Sequence, residues 1–361
     1  KNFKNNKLQK KMEYRLLGNT GLKVSAIGLG NWLNCDNPDW QQRTNEIVKK
    51  AWDLGINFFD TAEVYGFGEG EKQFGIALKA LNVPREEFVV STKIFWGTMW
   101  DDRVRVNQLG LNRKHIKEGV KNSLKRLQLD YVDIVFCHRF DHETPLEEVA
   151  RAFTELIQEG YIHYWGTSEW SAQNIYEMRE VCAEKNLIKP SAEQPQYNML
   201  VRDRFEAEYA RLFDKARMGS TVFSPLLCGI LTGKYNKGGI PAGSRWETFS
   251  ENQFLKLIWK NFFAPDKQEK LIQILQSLEK LASELGMTQS QLAMSWVLAN
   301  KDVSSAITAS SKKEQLEEIV KSVELYKKIT AEINRKVDEI IGNAPDQGLD
   351  FKYYTPLPQR R

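Results

Sequence analysis

Two hydrophobic periods take turns along the chain. Short apolar, β-prone runs appear at INFFD, FVVSTK, YVDIVFCH, HYWGTS, SAEQ and TVFSP. Between the early ones, apolar residues return every three or four positions, the helical spacing. This predicts a helix from about Glu71 to Leu81. It predicts a second helix carrying Ile116, Val120, Leu124 and Leu127, and a third with Leu146, Val149, Phe153, Leu156 and Ile157 on one face. Ahead of these, MEYRLLGNTGLKVSAIGLG places two short apolar runs around Gly18-Asn19-Thr20-Gly21, a hairpin signal. Residues 268–300 read as helix in two pieces broken near Gly286. VSSAIT is the last strand, and helices around 312–323 and 330–341 close the pattern. The final YYTPLPQRR, with two prolines, reads as coil.

Strands alternating with helices imply right-handed crossovers and a parallel sheet. An open dinucleotide-binding sheet would show GxGxxG after its first strand, and neither GLGNWL nor GFGEGE has that spacing. Instead Asp60, Lys93, His138, Ser168, Gln194 and Ser224 each stand at the C-terminal end of a strand, about one βα unit apart. Polar groups buried separately at successive strand ends would be costly, whereas a closed barrel gathers them at one mouth. The expected architecture is therefore one (β/α)8 barrel over about 12–342, with an N-terminal hairpin and extra C-terminal helices. A basic tail (1–11) precedes it and a coil tail (343–361) follows.

Composition narrows the class. The 361 residues allow two average domains or one large barrel, and 42% hydrophobic content is enough for a sizeable core. With 27% charged residues there is no apolar run of the ~18 residues a membrane span needs. Net charge is +4, and KNFKNNKLQKK holds five lysines and no acid, the mark of a solvated terminus. It has too few apolar residues for a signal peptide and lacks the Arg and Ser bias of a transit peptide. The remainder is nearly neutral, so neither nucleic acid nor membrane is an expected partner. Cys35, Cys137, Cys182 and Cys228 form no CxxC pair, which argues against a metal site or a disulfide framework. Reduced thiols in the cytoplasm are the expectation.

Asp60, Tyr65, Lys93 and His138 carry the candidate chemistry. Taken singly, Asp60 could cap a turn, Tyr65 could be packing, and His138 could be structural, as His115, His142 and His163 are expected to be. An unpaired lysine ending an apolar strand inside a barrel is harder to dismiss. Together they make a phenol whose pKa a neighbouring ammonium would lower, a carboxylate to hold that ammonium, and an imidazole to orient a substrate oxygen. Such a set protonates or polarises a carbonyl. No side-chain nucleophile competes, so a cofactor must attack, and hydride from a nicotinamide fits.

The motifs NFFDTAEVYG, VVSTKIFWG, LNRKHIKEGVKNSLKRLQLDYVDIVFCHRFD, YWGTSEWSA, EQPQYNM, FSPLLCGILTGKY and SSKKEQLEE resemble those of aldo-keto reductases. The likeness is strongest to the branch holding the β-subunits of voltage-gated potassium channels and their plant relatives. The resemblance implies that Asp60, Tyr65, Lys93 and His138 are the catalytic tetrad, with Tyr65 as general acid. It also implies NADPH lying extended across the barrel mouth. Ser168 and Gln194 would meet the nicotinamide carboxamide and Phe223 the ring, with Ser224, Pro225, Leu226 and Lys234 along the pyrophosphate. Arg245, Ser311, Gln315 and Glu318 would meet the adenosine end, with Arg245 and Ser311 near the 2′-phosphate, a pairing that suits a dianion. Gly30, Asn31, Trp32, Asp60, Leu227, Cys228 and Gly229 complete the implied cofactor set. Lys312 and Lys313 are either a solvated helix start or further cofactor contacts.

Three positions depart from the family pattern. Glu169 replaces the usual asparagine after Ser168, as in plant members of the branch, and an acid there could accept from the carboxamide NH₂. Ala309 stands for a usual glycine, and Ile319 for an adenine-contacting asparagine. His138 is present where animal channel β-subunits lack histidine, which favours an active reductase. The segment from Gly238 to Pro265 holds Trp246, Phe249, Phe254, Trp259, Phe262 and Phe263; it is either a lid over the cofactor or a helix packing those rings on the barrel. Trp32, Trp40, Trp96, Trp100 and Trp170 are expected in the loops of the mouth, some lining an apolar pocket for aromatic or bulky aldehydes. The leading expectation is NADPH-dependent reduction of a small carbonyl compound. The alternatives are a cytosolic β-subunit binding a channel α subunit and using NADP(H) as a redox sensor, or a scaffolding protein on the same fold. A homotetramer follows from the resemblance alone.

Overall fold

The computed structural model describes residues 12–34, 37–99 and 106–346. The tail expected at 1–11 and all but 343–346 of the one expected at 343–361, along with Cys35 and Trp100, lie outside them. Eight parallel strands close into a barrel: β3 (Ile27–Gly30), β4 (Phe58–Asp60), β5 (Val89–Ile94), β6 (Val132–Cys137), β7 (Ile162–Thr167), β8 (Ala192–Glu193), β9 (Gly219–Val222) and β10 (Ser305–Thr308). They follow chain order around the ring, and β10 pairs back onto β3, for instance Ile307 with Gly28. The expected (β/α)8 fold is the one observed.

The N-terminal hairpin is β1 (Tyr14–Leu16) and β2 (Lys23–Ser25), paired antiparallel with Arg15 opposite Val24. Gly18, at φ +57°, makes the turn. Its α-carbon lies so near Gly219 and Met218 that any side chain would collide with their backbone. The hairpin thus seats against the N-terminal end of β9. Leu17 and Val24 join Phe58, Val89, Ile134, Phe136, Ala192 and Ile307 in a separate apolar plug. A larger layer lies between strands and helices and includes Phe59, Val90, Val135 and Trp165.

The plug explains the mouth, because strand side chains alternate faces with period two. Phe58 and Asp60 therefore share the inward face, as do Val89, Ser91 and Lys93, then Ile134, Phe136 and His138, and then Ala192 and Gln194. Asp60, Ser91, His138 and Gln194 each take the next inward position beyond an apolar one, and Lys93 follows Ser91. Buried apolar side chains of this kind contribute roughly 1.5–3 kcal/mol each.

Helices flank the strands: α1 (Gln41–Asp53), α2 (Glu69–Ala80), α3 (Arg113–Leu127), α4 (Leu146–Gln158), α5 (Ala172–Glu184) and α6 (Ala210–Asp214). After β9 come α7 (Arg245–Thr248), α8 (Gln253–Phe262), α9 (Gln268–Glu284) and α10 (Gln289–Ala299); after β10 come α11 (Lys313–Val320), α12 (Ser322–Leu325) and α13 (Ala331–Ile341). Asn112 and Ser171 cap α3 and α5, each side chain accepting a backbone N–H three residues on. Thr288 and Gln291 form a reciprocal capping box at α10, just past Gly286, whose φ of +68° breaks the helical run. The sequence reading assigns no element to α1, α5 or α6, and it leaves β3 within the second apolar run of the hairpin. Strand β3 follows β2 without a turn signal, and the buried face of α1 has only Thr44, Ile47, Val48 and Ala51 among polar neighbours. No helix among the described residues is long and apolar enough to cross a membrane.

Candidate active site

At the barrel mouth Asp60 and Lys93 form a buried pair, 3% and 1% exposed. Lys93 Nζ donates to Asp60 Oδ2 at 2.5 Å and to the Thr61 carbonyl at 2.7 Å. The other oxygen, Asp60 Oδ1, accepts from Ser91 Oγ (2.6 Å) and Gln194 Nε2 (3.0 Å). Burial would drive the ammonium's pKa down, but the Asp60 charge and hydrogen bond, with Tyr65, hold it above the ordinary lysine value. A paired and charged lysine is the outcome.

Tyr65 begins a tight turn, Tyr65–Gly68, in which Gly66, Phe67 and Gly68 all have positive φ. The Lys93 ammonium lies 4.9 Å from the Tyr65 ring centroid, and the His138 ring stands edge-on to it at 5.9 Å. The sequence reading has Lys93 lowering the phenol's pKa. Lys93 does pull in that direction, but withdrawal from water outweighs it and Asp60 adds to the rise, so the net shift is upward. The phenol therefore keeps its proton at neutral pH, as a proton donor must. His138 is 7% exposed, and burial with the Arg139 and Lys93 charges pushes its pKa well below the usual value. It is a neutral imidazole, and its Nδ1 is buried without a hydrogen-bond partner among the described residues.

Ser168 and Gln194 are adjacent, with Ser168 Oγ donating to the Gln194 carbonyl at 2.8 Å. The Gln194 side-chain NH₂ is committed to Asp60 and to Thr221 Oγ1 (3.2 Å). Glu169 follows directly. Its backbone is left-handed (φ +59°), and its carboxylate accepts from the Gln196 N–H at 2.6 Å and from Arg204 at 3.2 Å. Those bonds engage both carboxylate oxygens in local structure.

Beneath that turn lies Glu193, fully buried on the outward face of β8. Thr167 Oγ1 donates to its Oε2 at 2.5 Å, and the Tyr209 hydroxyl is 3.4 Å from Oε1. Burial pushes its pKa up to about 8; the Glu169 charge adds to the rise, and the Thr167 hydrogen bond opposes it. Between about pH 4.5 and pH 8 the unfolded chain releases this proton while the folded chain keeps it, so folding loses stability as pH rises through that window. Glu193→Gln is neutral in both states. It is expected to stabilise the protein by roughly 2–4 kcal/mol at pH 8 and by much less near pH 4.5. Denaturant unfolding at the two pH values measures this, and equal effects at both would refute the ionisation account.

Phe223 is half-buried at the end of β9, its N–H donating to the Pro195 carbonyl. The following loop is left-handed at Ser224, Leu227, Cys228 and Gly229. Ser224 Oγ accepts from the Cys228 N–H at 3.2 Å, Pro225 is buried, Leu226 is partly exposed, and Lys234 is exposed just beyond. Trp246 ties this loop to α7 by donating to the Cys228 carbonyl. The 238–265 segment resolves into α7 and α8 with packed rings, Trp259 stacking on Phe263 at 4.0 Å. It also reaches the loop after β3: Phe254 meets Trp32 edge-on at 5.5 Å, Phe249 meets Trp40 at 6.2 Å, and Arg245 lies 5.9 Å from the Trp32 ring. The helix-packing alternative is the one these contacts describe. Of the other tryptophans expected at the mouth, Trp96 is half-buried against Phe95, while Trp170 is 1% exposed beside Phe140, making it core.

Gly30 pairs with Asp60 across β3 and β4. Asn31 donates to the Gly70 carbonyl and keeps a buried Oδ1 with no partner among the described residues. At the far side, Gln315 Oε1 accepts the Ser311 N–H at 3.2 Å. The Glu318 carboxylate is held by Thr288 Oγ1 at 2.6 Å. A cleft of about 200 Å³ there is lined by Arg43, Glu46, Ser311, Lys312 and Lys313. Lys313 pairs with Glu46 at 2.9 Å. Arg43 is absent from the sequence reading because α1 is. Ser91 and Thr61 are missed too, although Ser91 shares the inward face with Lys93 and period-two alternation alone would point to it.

Known proteins match this chain along most of its length. The Aldo/keto reductase family model covers residues 26–341. A putative voltage-gated potassium channel subunit beta of Schizosaccharomyces pombe is 48% identical over 345 residues, 95% of this chain and 96% of that protein. Probable voltage-gated potassium channel subunits beta of Arabidopsis thaliana and Oryza sativa subsp. japonica are each 41% identical over 341 residues, 94% of this chain and all of theirs. The family pattern spans all eight barrel strands and the mouth they build: the chain belongs to the aldo/keto reductase family.

Proposed function

We propose that the protein reduces aldehydes or ketones using NADPH, with Asp60, Tyr65, Lys93 and His138 as its catalytic group. The observation that carries this reading is the buried Asp60–Lys93 pair beside a protonated Tyr65 and a neutral His138. A structural ion pair has no need of a phenol and an imidazole beside it at a barrel mouth. A reduced nicotinamide, when bound, supplies hydride to the carbonyl carbon. The Tyr65 hydroxyl gives its proton to the carbonyl oxygen as charge develops there, and Lys93 stabilises the phenolate left behind. Asp60 keeps Lys93 charged and in place. His138 has one N–H to offer the same oxygen, which orients the carbonyl.

The donor set suits an extended anionic dinucleotide. Ser168 and the Gln194 side-chain oxygen would hold the carboxamide and Phe223 the ring. The left-handed loop from Ser224 to Gly229, with Lys234, would follow the pyrophosphate, since such backbone turns present N–H groups to anions. Arg245, Ser311 and the cleft lined by Arg43 and Lys312 offer cations and hydroxyls to a 2′-phosphate, which favours NADPH over NADH. Asn31 Oδ1 remains an unspent acceptor on the same side.

A single-turnover experiment tests the reading. Protein loaded with NADPH is mixed with an aromatic aldehyde, and nicotinamide absorbance is followed. Rapid oxidation is expected, together with NADPH binding at least ~10-fold tighter than NADH, about 1.4 kcal/mol. Tight NADPH binding without oxidation would sink the reductase reading. It would favour a second one, a voltage-gated potassium channel subunit beta, which the relatives' names support; a cytosolic homotetramer bound to an α subunit, its cofactor reporting redox state, follows from the family resemblance.

A further inference from the structure

A second buried pair includes a residue of the segment that leads into Tyr65. Glu63 is 2% exposed and stands two residues before Tyr65; His115, on α3, is 5% exposed. Glu63 Oε1 accepts the backbone N–H groups of Phe95 and Gly97, both at 2.8 Å. Its Oε2 lies 3.4 Å from His115 Nε2. On the other side of the ring, His115 Nδ1 is 2.8 Å from the Gly110 carbonyl, and the Gly110 N–H returns to the Phe95 carbonyl at 2.8 Å. The contacts close a ring: Glu63, Phe95, Gly110, His115 and back to Glu63. Gly119 leaves the space, since a β-carbon there would press within 3.3 Å of Glu63 Oε2.

Neither a carbonyl nor a carboxylate has a proton to give. Both nitrogens of His115 face acceptors, and only the imidazolium donates to both. Burial opposes that charge. Glu63, the Gly110 carbonyl and Glu118 outweigh it and hold the His115 pKa above the ordinary histidine value. Glu118 is itself paired with Lys114, and Asp141, which accepts from the Leu111 N–H, flanks Gly110. The flanks that this ring ties together, 95–99 and 106–110, carry apolar side chains at the surface: Met99 is 50% exposed, Val106 71% and Leu109 46%. Thr98 comes against Gly68 in the turn that Tyr65 begins.

We propose that Glu63 and His115 are positioning residues for substrate recognition, holding the flanks 95–99 and 106–110 beside Tyr65 only while His115 is charged. The consequence for turnover rests on the reductase reading; the structural claim does not. Because the folded value is raised, the contribution is complete below the unfolded histidine pKa and is lost as pH rises through the folded one.

The test follows amide hydrogen exchange of the full-length protein at Phe95, Gly97 and Gly110 from about pH 6 to pH 9, corrected for intrinsic rates. It compares wild type with His115→Gln and Glu63→Gln. Wild-type protection is expected to fall about tenfold across the range, and His115→Gln to lie at the low level throughout. With NADPH saturating, KM for an aromatic aldehyde is expected to rise about fivefold in His115→Gln, with kcat within twofold. Protection independent of pH in the wild type overturns the proposal, and that measurement needs no variant to fold. So does a KM that stays level while exchange changes. If wild type reduces no aldehyde at all, the reductase reading fails by itself, and exchange still decides whether the pair holds the flanks.

Discussion

Replacing Tyr65 with phenylalanine is expected to lower kcat for aldehyde reduction by about 10²–10⁴-fold, the range a positioned general acid contributes. The substitution removes one oxygen and keeps the ring that packs against Lys93 and His138, so NADPH affinity should stay within a few-fold. The pH profile separates the acid from a merely structural tyrosine. Its pKa lies above the ordinary phenol value, so the proton is available throughout the neutral range. Wild-type kcat/KM should therefore hold level there and decline only as pH approaches the region of about 10 and beyond. His138 is already neutral, its pKa held well below the histidine value, so it places no limb near neutrality. In Tyr65→Phe the alkaline limb should vanish along with most of the rate. Retained turnover in the variant, or an unchanged alkaline limb, would remove Tyr65 from the role of acid.

The parts of this molecule that could be read from sequence are those governed by strand alternation. Asp60, His138 and Gln194 each follow an inward apolar residue by two positions, and Lys93 follows Val89 by four on the same face, so the pattern that builds the plug also aims the mouth. Ser91 obeys the same rule and escapes notice only because a serine in an apolar strand looks unremarkable. The long helices were legible wherever apolar residues recur over three or more turns, as in α3 and α4. Helix α1 was not, since its polar residues hide a narrow buried face, and Arg43 went with it.

Other features depend on three-dimensional balance. Glu169 has a left-handed backbone and an ion pair with Arg204, and neither is visible in YWGTSEW. The Tyr65 shift has its sign set by competition between burial and one cation, which spacing cannot weigh. The aromatic residues of 238–265 read as lid or helix because two of their partners, Trp32 and Trp40, lie far earlier in the chain. His115, taken by itself, looks structural in the sequence; its two facing acceptors come from residues five positions before it and 52 before it.

Asp60→Ala should be the most destabilising single change at the mouth, by about 3–5 kcal/mol near pH 7. Lys93 is 1% exposed, and losing its carboxylate partner leaves the ammonium with the Thr61 carbonyl among its hydrogen-bond acceptors in the described residues. Ser91 and Gln194 lose an acceptor at the same time. In wild type the Lys93 pKa stands above the ordinary value because Asp60 outweighs desolvation. Without Asp60 burial wins and the folded pKa drops below the unfolded one. The folded state then binds fewer protons than the unfolded chain, so the variant's stability should rise with pH toward the free lysine value of about 10.4. Denaturant unfolding of Asp60→Ala near pH 7 and pH 10 should show the deficit shrinking. The double variant Asp60→Ala/Lys93→Met offers the sharper comparison, because it removes the stranded charge and leaves an apolar side chain of similar length. It should be more stable than Asp60→Ala alone, a coupling that a double-mutant cycle measures directly. If instead the second substitution adds its own loss, the cost of Asp60→Ala is that of a cavity and broken hydrogen bonds, and the charge on Lys93 contributes little to it.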